Sequence, residues 1–230
     1  VMPEVSRILF IGLRWPEPEA TAAGRRLLQL MEVFRDDGRE IHFATASKPG
    51  KYPADLSKAG VQTHVLKLNH ASADAFFREY AFDAVVFDRF QTEEQFGWRI
   101  REQLPDCLLI LDTEDVHSLR DSRGKAVAEG KPWTRSLWIA NPLFGRELAS
   151  ILRCDVSLII SKEEVSLLSD LFPWLAPVLV YMPFQVSLPL SWGAKDFSDR
   201  RDFVFVGNGK HAPNADAMHL LVGDVWPRLR

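Results

Sequence analysis

Five polar side chains follow a single apolar run near the middle of the chain. The run is Leu108 to Leu111, typical of a parallel strand buried on both faces, and the side chains after it are Asp112, Glu114, Asp115, His117 and Arg120. Three carboxylates, an imidazole and a guanidinium at the end of one strand have the composition of a polar binding site or an acid–base site. The alternative is an ordinary solvated loop between a strand and a helix, with an aspartate as the helix N-cap.

Alternating strands and helices must position this loop. Apolar runs predict seven strands, which begin near Arg7, Ile41, Val61, Phe82, Leu108, Asp155 and Val178. The alternating pattern from Val61 to Leu68 favours a strand near the edge of the sheet. Repeated strand–helix–strand units predict right-handed crossovers and a doubly wound, mainly parallel α/β sheet of the Rossmann-like kind, covered by helices on both faces. In such a sheet the loops at the carboxyl ends of the strands form the ligand crevice.

Capping residues predict where several helices begin. The first helix is expected from about Thr21 to Asp37, before Gly38. Thr92 and Gln95 have the spacing of a capping box, and Ser161 and Glu164 have the same spacing. We therefore expect one helix to begin at the first pair and to end at Pro105, and another to begin at the second pair.

Composition excludes several classes of protein. The 230 residues are 47% apolar and 26% charged, as in ordinary globular domains, and the net charge of −3 argues against a nucleic-acid partner. Apolar runs of about five to seven residues are too short to span a membrane, and Ile8 to Ile11 is too short for a signal peptide. Cys107 and Cys154 lack metal-ligand or redox spacing. We therefore expect a cytoplasmic protein with two reduced thiols and no metal.

A change in composition near Gln185 predicts a domain boundary. We expect a Rossmann-like domain over 1–186, a linker over 187–201 and a further βα unit over 202–230. That unit would contain a strand from Asp202 to Val206 and a helix from about Asn214 to Trp226. One strand and one helix cannot bury a core, so the unit is either the start of an incomplete second domain or an extra element of the first sheet.

Four segments in order resemble those of a known fold family. They are EATAAGRR, LDTEDVHSLR, RCDVSLIISKEE and FVGNGKHAPNADAMHLLVGDVWPRLR, and they are similar to segments of the GT-B glycosyltransferases, more narrowly the retaining group called family 4. The resemblance implies transfer of a sugar from a nucleotide-sugar, without a further cofactor, to a hydroxyl of a glycan or lipid-linked acceptor in cell-surface polysaccharide synthesis. In that family the second domain holds the nucleotide-sugar site, including a Glu-x7-Glu segment, so we expect the chain ending at Arg230 to be inactive alone.

The resemblance assigns roles to the polar residues. His117 and Asp115 would be catalytic, since an imidazole titrates near the working pH. The residues implied to bind the acceptor are Asp112, Glu114, Arg120 and Arg25. Those implied to bind the donor are Gly24, Gly207, Asn208 and Lys210. Gly24 and Arg25 would use a close backbone approach and a helix N-terminus, which attracts anions. The alternatives are an ordinary helix start there and a solvent-exposed lysine at position 210.

A basic and aromatic stretch precedes the sixth predicted strand. Between Arg120 and Arg153 there are seven lysines and arginines and three acidic residues, interleaved with Trp133, Trp138 and Phe144. Relatives in the resembled family often touch membranes through such a surface, which predicts peripheral contact at the inner face of the membrane. The alternative is a helical excursion whose tryptophans pack into the core.

Two further expectations concern function and assembly. The alternative to an enzyme is a non-catalytic module of the same fold that binds a glycan or a nucleotide. A flavodoxin-like or response-regulator domain is disfavoured, because the sequence has neither a phosphate-loop fingerprint nor a suitable Asp-Asp/Lys set. The helix of 202–230 carries an apolar face of Met218, Leu221, Val222 and Val225. Exposing that face to water is unfavourable, so we expect a homodimer to form through this segment.

Overall fold

The computed structural model describes residues 5–185, 196–207, 209 and 211–229. The chain divides into two compact units, Val1–Val186 and Ser187–Arg230.

The first unit is built on a seven-stranded sheet in which every neighbouring pair of strands is parallel. The strands are β1 Arg7–Ile11, β2 Glu40–Thr45, β3 Gln62–Val65, β4 Ala84–Asp88, β5 Leu108–Asp112, β6 Val156–Ile159 and β7 Leu179–Tyr181. Their order is β3-β2-β1-β4-β5-β6-β7. The predicted parallel α/β sheet is confirmed, and β3 forms an edge as its alternating sequence indicated.

In the described part of the first unit, seven helices cover the two faces of this sheet. They are α1 Ala22–Asp36, α2 Ser72–Tyr80, α3 Phe90–Gln103, α4 His117–Ala128, α5 Arg135–Ile139, α6 Pro142–Arg153 and α7 Lys162–Leu171, followed by a 3-10 turn at Pro173–Val178. Successive residues of β1 enter opposite apolar cores. Ile8 and Phe10 join the core that includes α1, whereas Leu9 and Ile11 join the core that includes α2 and α3. A strand buried on both faces explains the uninterrupted apolar runs of the sequence.

The predicted helix starts are right in two cases and wrong in one. Thr21 Oγ1 accepts from Gly24 N at 3.0 Å, and Ser161 Oγ accepts from Glu164 N at 3.4 Å. The predicted capping box at Thr92 is wrong, because α3 already begins at Phe90. The positive φ of Arg89, 73°, turns the chain directly from strand to helix. The Thr92 hydroxyl therefore lies in the first turn and donates to Asp88 O and Arg89 O.

The aromatic residues between Arg120 and Arg153 pack inward. Trp138 is fully buried and donates from Nε1 to Ser118 Oγ at 2.8 Å, and Phe144 is also buried. Trp133 is partly buried and donates to Ser122 Oγ at 3.0 Å. The interpretation in which these side chains belong to the core is confirmed. Among the described residues, no helix has the length and apolar content needed to cross a membrane.

The second unit differs from its prediction at the proposed strand. No strand forms from Asp202 to Val206, and this prediction is wrong. The described part of this unit holds no other strand, so the extended segment has no partner for the hydrogen bonds of a sheet. Phe203 packs edge-on against Trp226, with ring centroids 5.8 Å apart.

The predicted helix of the second unit is present. It runs as α8 Ala212–Leu220, a π-helical segment Leu221–Val225 and α9 Trp226–Leu229. Three of the four side chains of its expected apolar face are exposed, namely Met218, Val222 and Val225, and the neighbouring Trp226 is exposed as well. The dimer through this segment stays a prediction.

Candidate active site at the carboxyl edge of the sheet

Three loops meet where the strand order of the sheet reverses, between β1 and β4. Such a switch point is where open α/β sheets leave a crevice for ligands. Asp88 ends β4 and is in register with Asp112 at the end of β5. Leu13, just after β1, donates from its backbone N to Asp88 Oδ2 at 3.0 Å. The loops after β1, β4 and β5 are therefore joined around Asp88.

An ion pair between two strained residues lies beside Asp88. Arg89 and Glu114 follow β4 and β5, and both have positive φ values, 73° and 60°. Their side chains meet with Arg89 Nη2 at 2.7 Å and Nε at 2.9 Å from Glu114 Oε2. Such backbone conformations each cost about 1–3 kcal/mol in residues other than glycine and are concentrated at functional sites. The strain here positions a charged pair at the sheet edge.

Burial changes the acid–base properties of the carboxyl groups around Arg89. Burial and the nearby charge of Asp88 raise the pKa of Glu114 to about 7, although the Arg89 charge opposes the shift. Burial also raises the pKa of Asp88, whose Oδ1 has no hydrogen-bond partner among the described residues. A carboxyl group whose pKa is about 7, as for Glu114, can hold or release a proton near neutral pH. The cluster can therefore act as an acid as well as bind.

The predicted catalytic residues His117 and Asp115 are brought together. His117 Nε2 lies 3.2 Å from Asp115 Oδ1, and Arg120 Nη1 lies 2.7 Å from Asp115 Oδ2. Burial raises the pKa of Asp115, but the hydrogen bond and charge of His117, together with the Arg120 charge, outweigh burial and hold this pKa below its usual value. The His117 ring also contacts Phe90 edge-on, at 5.7 Å between centroids. An ionised aspartate thus orients the imidazole, as in a general acid–base pair.

Two carboxylates occupy the N-terminus of α4. Both oxygens of Glu147 accept backbone N–H groups, from His117 at 2.6 Å and from Ser118 at 2.7 Å. Glu164 Oε1 accepts from Val116 N at 3.0 Å. A helix N-terminus is otherwise a ready anion site. Here the chain's own carboxylates fill it, which fixes the backbone of His117 and leaves no such site for a phosphate at α4.

Asp112 has a structural partner that the sequence did not indicate. Its side chain accepts from Arg26 Nε at 3.0 Å at each oxygen and from Arg26 Nη2 at 2.9 Å. Both side chains are buried, and Arg26 Nη1 donates to Met182 O at 2.8 Å. Arg26 therefore occupies this carboxylate and ties α1 to β5 and to the segment after β7, and acceptor binding by Asp112 stays a prediction.

Gly24 and Arg25 lie in the first turn of α1, which follows the loop after β1. The Gly24 N–H is bound by Thr21 Oγ1, and a Cβ at Gly24 would lie 2.5 Å from Glu17 N. The glycine is needed because the loop's own backbone approaches it, and the expected phosphate contact stays a prediction. Arg25 is half-exposed, and its Nη2 pairs with Glu19 Oε1 at 2.8 Å.

The expected donor residues belong to the second unit. Asn208 and Lys210 lie outside the described residues. Gly207 is exposed, and a Cβ there would lie 3.0 Å from Asn214 Nδ2. In the described part of the chain, no group of three His, Cys, Asp or Glu side chains is arranged to hold a metal ion.

Sequence reasoning missed several residues of the site: Arg26, Asp88, Arg89, Glu147 and Glu164. Asp88 had a signal, because it ends an apolar strand as Asp112 does. Glu164 was expected only as part of a helix cap. Glu147 gave no local signal, since it lies 30 residues from the backbone N–H of His117 that it binds.

Comparison with solved structures identifies the fold. The lipopolysaccharide outer core galactosyltransferase WaaB, in its apo form, matches with a TM-score of 0.52 and 11% identity, over 80% of this chain and 47% of that chain. The chain has a GT-B-like fold. It spans about half the length of that galactosyltransferase, and the likeness at this identity shows the fold alone.

The other comparisons add no argument about function. A protein described as an NAD-dependent epimerase/dehydratase from Methylobacillus flagellatus matches with a TM-score of 0.42 and 14% identity, over 69% of this chain and 55% of that one. No protein-family model and no curated protein matches the chain. The similarity therefore reaches the GT-B-like fold and not the retaining family 4.

Proposed function

We propose that this chain is the acceptor-binding part of a glycosyltransferase that uses a nucleotide-sugar donor. The observation that carries the proposal is the pairing of His117 with Asp115 beside the strained Arg89–Glu114 pair, at the switch point of a GT-B-like sheet. Acid–base groups and an open sheet edge are what an acceptor hydroxyl needs for activation.

The proposed chemistry is transfer of one sugar to a hydroxyl. The acceptor O–H bond breaks, a new bond forms between that oxygen and the sugar C1, and the C1–O bond to the diphosphate breaks. His117 Nδ1 receives the hydroxyl proton; this atom has no hydrogen-bond partner among the described residues. Asp115 holds Nε2 and stabilises the imidazolium, as a carboxylate does for a catalytic histidine. The electron pair of the broken C1–O bond leaves with the nucleoside diphosphate.

Glu114 and Arg120 have supporting roles in this proposal. Arg120 holds the second oxygen of Asp115, which keeps the carboxylate ionised and aligned with the imidazole. Glu114, with its pKa raised to about 7, can donate a hydrogen bond to an acceptor oxygen when protonated and accept one when ionised.

The donor side is proposed from the resemblance of the sequence. Residues 1–186 form the acceptor domain, 187–201 a linker, and 202–230 the beginning of a nucleotide-sugar domain. Gly207, Asn208 and Lys210 would then face the diphosphate, where a lysine and backbone N–H groups meet the charge of the leaving group. The acceptor is a cell-surface glycan or its lipid-linked precursor.

Membrane contact is proposed through basic side chains only. Because Trp138 and Phe144 are buried, the contact of a cytoplasmic enzyme with the inner face of the membrane would depend on lysines and arginines between 120 and 153 alone. Each such residue near an anionic surface is worth about 1 kcal/mol.

The proposed role of His117 is tested by kinetics on the whole protein in which this chain occurs. We expect His117→Ala to lower kcat by about 10²-fold or more, because general acid–base catalysis contributes that much. His70→Ala is the matched control, since the His70 side chain is exposed and, among the described residues, its ring hydrogen-bonds only to Ser72. If kcat falls equally in both variants, or does not fall in His117→Ala, His117 does not transfer the proton. Glycan binding without turnover would instead favour a non-catalytic module.

A further inference from the structure

A second open cleft lies at the carboxyl ends of β2 and β3. Its volume is about 620 Å³, within the range of ligand sites, and its walls include Trp15, Lys48, His64 and Lys67. No acidic residue lines it. The cleft is therefore a concave surface with positive charge at one edge of the sheet.

The two lysines of the cleft differ from the other described lysines. Lys58, Lys125 and Lys131 form ion pairs, and Lys51 and Lys162 lie over tyrosine rings. Lys48 and Lys67 are exposed and have no partner among the described residues. Two unpaired ammonium groups on one cleft favour an anionic ligand, since a charge-assisted hydrogen bond is stronger than a neutral one.

Trp15 provides a fixed aromatic surface beside these lysines. Its Nε1 donates to Ala54 O at 2.9 Å, and its ring meets Phe43 edge-on with centroids 5.4 Å apart. These two contacts hold a half-buried indole in one orientation. A rigidly held aromatic ring can pack against the apolar side of a ligand ring. A site whose side chains are fixed by such contacts is preorganised for binding.

One short segment connects this cleft to the candidate active site. Leu13 donates from its N to Asp88 and accepts at its O from Ser47 Oγ at 2.8 Å. Ser47 lines the cleft, and Trp15 follows Leu13 by two residues. A ligand longer than one sugar ring could therefore lie along a single sheet edge, from the lysines toward Asp88.

We propose that the cleft binds an anionic saccharide, with one sugar ring on Trp15 and its phosphate or carboxylate group between Lys48 and Lys67. The saccharide is the negatively charged end of the acceptor. Only this assignment as acceptor rests on the proposed function, because binding in the cleft requires no transfer.

Binding to the chain itself tests the site. The probes are mannopentaose bearing one phosphate monoester, tetragalacturonate and neutral mannopentaose, and the signals are the Trp15 indole N–H in an NMR titration and the Kd. We expect at least one anionic probe to shift the indole signal and to bind about tenfold or more tightly than the neutral one, with a Kd that weakens as salt increases. The two anionic probes distinguish phosphate from carboxylate as the recognised group.

Charge-matched variants locate the binding. Lys48→Gln/Lys67→Gln should raise the Kd of the anionic probe about tenfold or more. Lys58→Gln/Lys131→Gln removes the same charge elsewhere and should change the Kd of that probe less than about twofold. Trp15→Ala should weaken binding of every probe, and Trp174→Ala, which removes an exposed indole elsewhere, should not. The lysine variants are at the surface, so they keep the test valid if Trp15→Ala unfolds.

Several results would overturn the proposal. They are equal affinity for neutral and anionic probes, no effect of the paired lysine variant, or tighter binding of uridine monophosphate or inorganic phosphate than of either anionic saccharide. Failure here together with sugar transfer to another acceptor would leave the proposed function intact. If the probes bind as expected but no sugar is transferred, the cleft is a saccharide-binding site and the proposed transferase function is wrong.

Discussion

The Arg26–Asp112 ion pair allows a quantitative test of how the sheet edge is held. The perturbation is Arg26→Met, which removes the guanidinium while keeping a side chain of similar length. Arg26 and Asp112 side chains are 3% and 2% exposed, and three nitrogen–oxygen hydrogen bonds of 2.9–3.0 Å join them. The change leaves Asp112 as a buried carboxylate without its partner and also removes the hydrogen bond to Met182 O.

The expected loss in the free energy of unfolding is about 3–5 kcal/mol, as for other buried pairs that lose one partner. Burial already raises the pKa of Asp112, against the Arg26 hydrogen bonds, so without Arg26 this carboxyl can take up a proton. The loss in the free energy of unfolding should therefore be smaller at low pH, where this carboxyl is protonated, than at high pH. With an m value of about 3 kcal/mol/M, the urea midpoint moves by about 1–1.7 M.

Urea unfolding followed by circular dichroism measures this loss, and two further variants complete the experiment. Arg25→Met removes the neighbouring arginine, which is half-exposed, and should change stability by less than about 0.5 kcal/mol. Arg26→Met/Asp112→Leu removes both buried charges and should recover most of the stability. A loss below about 1 kcal/mol for Arg26→Met, or a double variant no more stable than the single one, would refute the reasoning.

Three other predictions concern pH, the donor and assembly. Burial and then the charge of His42 lower the pKa of His64 from its ordinary value of 6.5, so the unfolded chain binds this proton more readily. The stability that neutral His64 contributes is complete above pH 6.5 and falls as the pH drops below that value. Urea midpoints measured between pH 5 and 8 should therefore fall less toward acid pH in His64→Phe than in the parent chain. The same dependence of the midpoint on pH in both proteins would contradict this. Calorimetry of this chain with UDP- and GDP-sugars should give Kd values no tighter than about 1 mM, near −4 kcal/mol, whereas micromolar binding would show a donor site already within it. Light scattering should find a dimer that is lost in a version ending near Ser187; monomers in both cases would end the dimer idea.

The sequence could predict the sheet because each strand has a local signal. Apolar runs mark strands that are buried on both faces, and the polar residues that end them mark the ligand edge. The contact between His117 and Asp115 follows from their closeness in the chain. The strand at Asp202–Val206 could not be judged in this way, because a strand depends on a partner that its own sequence does not specify.

Long-range pairing explains most of what the sequence did not reveal. Arg26 lies four residues before Leu30 and therefore shares the buried face of α1, whereas Arg25 does not. The orientation of this helix about its axis decides which of the two arginines meets Asp112. Glu147 binds the N-terminus of α4 from another helix, and such a contact between distant residues has no local pattern. The positive φ of Arg89 likewise has no signal in the sequence, because the residue is not a glycine.

Our main proposal is that the protein transfers a sugar from a nucleotide-sugar to a saccharide hydroxyl. The direct measurement is mass spectrometry of an acceptor mixture after incubation of the whole protein with UDP- and GDP-sugars, together with assay of the released nucleoside diphosphate. We expect an acceptor that is heavier by one sugar residue, and one released nucleoside diphosphate for each glycosylated acceptor. His117→Ala should lower the rate of both by about 10²-fold. Release of diphosphate without a glycosylated acceptor, or no reaction with any donor, would contradict it.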